Sequence, residues 1–362
     1  MIPMQKQNIK YILFFYLLII LGFGEDCIDD EEVLLWNICY NIEETTEINY
    51  SYTSLGEIPS SIGSLINLNY IHLSDCGLSG QIPPEIGNLE NLTSLQIYDN
   101  NLNLPDSLGM NINSNLTGEI PVEIGNLFNL RQLDLRNNEL SGVLFTELTN
   151  LINLNTLLLS GNQIEGQIPS EIGLLHELIS LDIGNNQFIG QIPESLYNLT
   201  NLNFLSLNNN NLHGYINSNI INLSLVYFLD LSSNNFSGEI PLEINDLNLY
   251  FLKIDENQLS GSIPNQFCEI DFLYLSDNKF CLPYPECLPE SIIGDQDTSE
   301  CINCPNDIQG DFNFDGSIDV IDIIILVNMI LINEYNICND FNFDDSINII
   351  DILMVIDIIL YL

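Results

Sequence analysis

LNTLLLSGNQIEGQIPSEIGL, residues 154–174, decides the fold. Its positions Leu154, Leu157, Leu159, Asn162 and Ile164 return 24 residues later as Leu178, Leu181, Ile183, Asn186 and Phe188. They return again as Leu202, Leu205, Leu207, Asn210 and Leu212. A fixed period of this length marks a solenoid, in which no unit can bury its apolar face alone and each is covered by its neighbour. Within a unit the inner leucines alternate with exposed residues, a period of two that predicts a short strand. Solenoids of this kind bind partners along an open surface.

Asn100, Asn138, Asn162, Asn186, Asn210, Asn234, Asn257 and Asn278 fall at one equivalent position. A buried amide without partners costs about 1–3 kcal/mol, so the recurrence predicts a ladder in which each side chain bonds backbone groups of adjacent coils. Cys76 stands where other repeats place asparagine and reads as an odd, buried, unpaired thiol. Between Leu102 and Leu116 an excursion of about 14 residues interrupts the period. Loop-closure entropy tolerates it on a surface, either as ornament or as a ligand-contact loop.

Gln81-Ile82-Pro83, Glu119-Ile120-Pro121, Gln167-Ile168-Pro169, Gln191-Ile192-Pro193, Glu239-Ile240-Pro241 and Ser262-Ile263-Pro264 recur after the asparagine. With them the region resembles the plant-specific class of leucine-rich repeats, whose signature is LxGxIP. The resemblance implies an α/β solenoid with a concave parallel β-sheet and short 3-10 or helical convex segments. About ten copies fill residues 45–287. Residues 25–44, with the single tryptophan Trp36, read as the N-terminal cap, and Phe280 to Cys287 as the close of the C-terminal one.

The exposed residue of each strand runs Tyr70, Ser94, Gln132, Thr156 and Ser180, then Phe204, Phe228, Phe251 and Phe272. Four successive phenylalanines should line up as a stripe, with Tyr227, Tyr250, Tyr274 and Lys253 beside it. An apolar ribbon on an open sheet reads as a contact surface for a protein or glycan partner. The alternatives are rings that pack on one another, or that stack against sugars.

Residues 1–24 combine a cationic start, the apolar run Tyr11 to Leu21, and Gly22 and Gly24, and read as a secretory signal peptide. The run is shorter than the roughly 20 residues of a spanning helix, so no transmembrane span is expected after cleavage. The leader holds two of the six basic residues and none of the fifty acids. The remainder therefore repels phosphate backbones and anionic lipid, which excludes nucleic acid and favours metal cations. Nine cysteines fit an oxidising, extracellular compartment. Cys27–Cys39 and Cys281–Cys287 are plausible bridges, although spacing alone does not fix connectivity. Cys301 and Cys304 read as structural.

Residues 288–308 read as a polar linker, after which the composition changes. Asp311, Asn313, Asp315, Ser317, Asp319 and Asp322 occupy alternate places of a twelve-residue loop that leads into an apolar run. Asp340, Asn342, Asp344, Ser346, Asn348 and Asp351 repeat it. Oxygen side chains at loop positions 1, 3, 5, 9 and 12, with a backbone carbonyl at 7, are the set a calcium ion takes. The duplicated loop–helix unit, residues 309–362, resembles a dockerin domain, which implies a small all-α fold, calcium as cofactor and a cohesin-like or cell-surface partner. Dockerins that enter cohesins carry a small hydroxyl pair at loop positions 10 and 11; here Val320-Ile321 and Ile349-Ile350 depart from it. Asp345 replaces the turn glycine of the second loop, so weaker calcium binding is expected there.

Nothing in the chain reads as an enzyme. His72, His176 and His213 fall on different faces of different repeats and read as lone surface residues. No nucleophile elbow, zinc motif or phosphate loop stands out of the periodic background, and an open sheet lacks the cleft a carboxylate pair needs. The reading is a secreted or cell-surface, non-enzymatic binding or adhesion protein. The alternative is an accessory component of an extracellular polysaccharide-degrading complex.

Overall fold

The computed structural model describes residues 27–28, 30–100, 115–282, 284–301, 318–332 and 348–361, in two compact units, Met1–Asp297 and Thr298–Leu362. In the first, ten parallel strands from Glu47–Ser51 to Phe272–Tyr274 form one sheet in simple sequence order. The pairing puts Tyr70, Ser94, Gln132, Thr156, Ser180, Phe204, Phe228, Phe251 and Phe272 in one column across it. The alternate residues, such as Leu157, Leu181 and Leu229, point inward and are fully buried in a single continuous core. Period two on an exposed sheet requires this division.

The asparagine ladder forms. Asn186 Nδ2 donates to the carbonyls of Leu159 (3.0 Å), Ile183 (3.2 Å) and Gly184 (3.0 Å), while its Oδ1 accepts the Ile164 N–H at 3.0 Å. Each amide thus ties its own turn to the preceding coil. Cys76 takes an asparagine place, buried and free, and its N–H donates to Asn100 Oδ1 at 2.9 Å. Asn138 Oδ1 has no partner among the described residues. The donor that the repeat would supply belongs to the excursion, and residues 101–114 lie outside the described residues.

On the convex side each coil carries a short 3-10 segment, seven of them entered through Pro59, Pro83, Pro121, Pro169, Pro193, Pro241 or Pro264, whose fixed φ presets the entry. Close stacking demands glycine there: a Cβ on Gly173 would lie 2.3 Å from the Ser195 carbonyl oxygen. The LxGxI residues form a second parallel sheet of six strands, from Glu165–Gln167 to Lys279–Phe280. The period-two reading missed it. Gly190, at φ +86°, interrupts any alternation that would mark this strand.

At the start of the solenoid the hairpin Glu32–Leu35/Ile38–Asn41 buries Leu35, and the Trp36 indole donates to the Glu57 carbonyl at 2.9 Å. Cys27 bonds Cys39. At the other end the expected Cys281–Cys287 bridge is replaced by Cys268–Cys287. Cys268 lies in the 3-10 segment Asn265–Glu269, where Cys287 returns to within 5.9 Å between Cα atoms, a bridging distance. Cys281 and Cys301 are disulfide-bonded too. The stretch expected as linker is folded at its beginning: Leu288 and Ile293 are buried, and Gln296 bonds the end of the ladder. Its polarity hides two core side chains spaced too widely to show a period.

Among the described residues of the second unit, the α-helices Val320–Ile332 and Ile349–Tyr361 pack through fully buried Leu326 and Val355. Among the described residues no helix is long and apolar enough to cross a membrane.

Candidate functional site

Two kinds of side chain divide the concave face of the ten-stranded sheet. From Phe204 onward it is aromatic. Phe204 and Phe228 stack at 4.3 Å between ring centroids and Phe228 and Phe251 at 4.2 Å, within 10° of parallel. Strands spaced roughly 4.8 Å apart set that distance for identical residues in register. Phe272 sits further off, 6.4 Å from Phe251, and meets Tyr250 edge-on at 5.0 Å; Tyr274 tilts against Phe251 at 5.7 Å. The rings do pack on one another, yet Tyr227, Tyr250, Phe272 and Tyr274 stay 44–50% exposed. Lys253 joins the row beside them, 3.9 Å from Asp255 Oδ1.

Ahead of Phe204 the face is polar and internally bonded, which the sequence reading did not single out. His72 Nε2 lies 3.0 Å from Ser74 Oγ and 3.3 Å from Ser51 Oγ, and its Nδ1 lies 3.1 Å from Gln96 Oε1. Gln96 Nε2 continues the chain by donating to Gln132 Oε1 at 3.1 Å. His72 is therefore part of a network rather than a lone surface residue. Arg136 grips Asp134 through Nε (2.9 Å) and Nη2 (2.7 Å) and lies 5.6 Å from the Tyr98 ring centre. The signal for this network was one of register, because His72, Gln96 and Asp134 face one another across successive strands.

Two further acids, Asp182 and Asp230, share the register position of Asp134, and Lys253 faces Asp230 across the neighbouring strand. Asp182 accepts from Ser160 Oγ (2.7 Å) and the Gly184 N–H (3.1 Å). Asp230 accepts from the hydroxyl and the N–H of Ser232 at 2.6 and 3.0 Å. Burial pushes the Asp230 carboxyl above its ordinary range, against the opposing pull of Ser232 and Lys253. Asp255 is raised for the same first reason.

In the second unit Asp319, Asp322, Asn348 and Asp351 are in view; Asp311, Asn313, Asp315, Ser317, Asp340, Asn342, Asp344 and Ser346 lie outside the described residues. Asp322 and Asp351 are fully buried at the helix starts, each with Oδ2 accepting a backbone N–H three residues earlier, from Asp319 at 2.8 Å and Asn348 at 2.7 Å. Two buried carboxylates in equivalent places, in a unit whose sequence has no lysine, arginine or histidine, suit a hard cation with oxygen ligands.

Residues 67–89, 129–151, 153–175, 177–199 and 226–247 match the leucine-rich repeat, and residues 309–360 the dockerin type I domain. This is a leucine-rich repeat protein. Among solved structures the leucine-rich repeat protein resembles a TDR receptor, at 35% identity and a TM-score of 0.59 over 67% of this chain and 40% of that one. It also resembles the Arabidopsis receptor kinase HAESA in complex with the peptide hormone IDA and a co-receptor, at 34% identity and 0.57 over 66% and 38%. A leucine-rich repeat protein of Leptospira interrogans aligns at 30% identity and 0.54 over 70% and 59%. The chain spans about two fifths of the length of these receptors. No curated protein matches it as a sequence.

Proposed function

We propose that this leucine-rich repeat protein is a secreted or cell-surface binding protein without enzymatic activity, whose solenoid takes a protein or glycan partner on its concave face. The observation that carries this reading is the aromatic row from Phe204 to Phe272, in which Phe272 and the neighbouring Tyr227, Tyr250 and Tyr274 stay 44–50% exposed. Exposed aromatic groups in register on a rigid scaffold are what contact hot spots are made of. The HAESA ectodomain, similar in fold, is solved with a peptide hormone bound. The C-terminal unit, residues 309–362, binds calcium through its two loops and mediates attachment or assembly. The test is the pair Phe228→Ser with Phe251→Ser. The variant should keep its melting transition and lose the partner; retained affinity in a folded variant would reduce the ribbon to self-packing.

A second reading makes the protein an accessory component of an extracellular polysaccharide-degrading complex, supported by the dockerin type I match. Its partner surface would be apolar: Val320, Ile321, Ile349 and Ile350 are 63, 51, 69 and 47% exposed at the loop positions where hydroxyls are usual. Binding of a purified cohesin to the full chain in calcium supports this reading, and its absence removes it.

A further inference from the structure

Asn138, Asn162, Asn186, Asn210 and Asn234 are spaced by 24 residues, but Asn257 follows after 23 and Asn278 after 21. The lost residues come from the passage between the convex 3-10 segment and the next strand. Leu199 and Phe204 are separated by four residues, among them the buried Leu202; Ile270 and Phe272 are separated by Asp271 alone. Seven 3-10 segments, Ser60–Ser64 through Ser218–Asn222, are closed by a leucine with ψ between 48° and 62°. Leu247 and Ile270, which close the next two, are extended at ψ 140° and 122°. The coil that leads into Phe272 therefore has no counterpart of Leu178, Leu202, Val226 or Leu249, each buried in its own coil.

A missing core side chain leaves a space, and a cleft of about 290 Å³ opens between these two shortened coils. Buried Leu247, Leu249 and Phe267 and half-buried Ile270 make its apolar wall. Leu247 and Leu249 are 7 and 8% exposed, where Leu199 and Leu202 are at 0%. Exposed Glu269 and Asp271 belong to the same lining, and the described ion pairs, Arg136–Asp134 and Lys253–Asp255, involve neither. Asn245 lines the cleft too, and its buried Oδ1 has no donor among the described residues.

We propose that this cleft binds a small aliphatic ammonium ion, its chain against Leu247, Leu249, Phe267 and Ile270 and its charge beside Glu269 and Asp271. The apolar wall takes the methylenes in place of the side chain that the shortened coil lacks. A dry cavity of about 150 Å³ already takes a benzene-sized molecule, so this one has room for a chain of about six carbons with its head group. The lining fixes the sign of the ligand. It holds two carboxylates and no basic residue, so a carboxylate ligand is repelled and an alcohol forgoes the attraction of both acids. The proposal stands apart from the concave face and does not rest on that face binding a partner.

The probes are hexylammonium, propylammonium, hexanol and hexanoate, each titrated against the full chain and read by saturation-transfer NMR. Hexylammonium should bind with a Kd on the order of millimolar. Propylammonium should bind more weakly, by up to about fourfold for each methylene lost, and hexanol and hexanoate by about tenfold or more. Glu269→Gln with Asp271→Asn should cost about tenfold in hexylammonium affinity. Glu123→Gln with Glu171→Gln, on 3-10 segments of other coils, should cost nothing. Ile270→Trp, which fills the cleft, should abolish binding while the melting transition stays in place; if that variant does not fold, the two carboxylate pairs decide. Equal losses in both pairs would mean diffuse attraction to an acidic protein and overturn the proposal. Hexanol binding as tightly as hexylammonium, affinity independent of chain length, or no binding of hexylammonium at all would each overturn it as well.

Discussion

Gln296 takes the place that a further asparagine would hold after Asn278. Its Oε1 accepts the Phe280 N–H at 3.1 Å, as Asn278 Oδ1 accepts the Leu259 N–H at 2.9 Å, and its Nε2 donates to the Leu275 carbonyl at 2.9 Å. A longer side chain on a segment outside the repeat thus ends the ladder without orphaning backbone groups, which is what the last coil of a solenoid needs.

Gln296→Ala should therefore destabilise the last coil by about 1–3 kcal/mol and the first coils hardly at all. Hydrogen exchange read strand by strand checks this: amides of Phe272–Tyr274 and Lys279–Phe280 should exchange faster while those of Tyr70–Ser74 keep their rates. Uniform acceleration would contradict the local role.

An interior rung behaves differently. Asn210 donates to the carbonyls of Ile183, Leu207 and Asn208 and accepts the Phe188 N–H. Asn210→Ala strands these buried groups at mid-stack and should lower stability by about 3 kcal/mol or more. Chemical denaturation of the two variants side by side should rank Asn210→Ala well below Gln296→Ala.

Asp230 predicts a pH dependence of opposite sign to the usual aspartate. Burial raises its folded-state affinity for a proton, so its ionised form costs stability at neutral pH. That cost disappears as pH falls below the ordinary aspartate value of 3.8. Asp230→Asn should thus be more stable than the parent at pH 7, by about 1 kcal/mol, with the gain closing in acid. Thermal melts across the range measure it.

Calcium should act on the second unit. Chelation should lower the melting transition of the helices Val320–Ile332 and Ile349–Tyr361 and leave the solenoid transition where it is. Asp322→Ala should abolish the calcium response of its own loop. Calorimetric uptake identical to the parent would count against the loops as the site.

Much of this was legible because a solenoid repeats its physics. Leu181, Asn186 and Phe204 each announce their place through equivalents in neighbouring coils, so strand register and the aromatic column could be read before any coordinates. What escaped reading occurs once. Gln296 and Ile293 have no periodic copies, Cys268 pairs by proximity that only the folded cap creates, and the Lys279–Phe280 sheet is masked by glycine. The bonds of His72 depend on Ser51 and Gln96, 21 residues before and 24 after it, a relation visible only once the register is laid out.

Oxidative footprinting of the full chain with and without a bound partner tests the central claim most directly, because it reads the exposure of individual aromatic rings. The account predicts protection concentrated on Tyr227, Tyr250, Phe272 and Tyr274. Protection confined to convex residues such as Val122 and Leu242, with those four rings left unprotected, would contradict it.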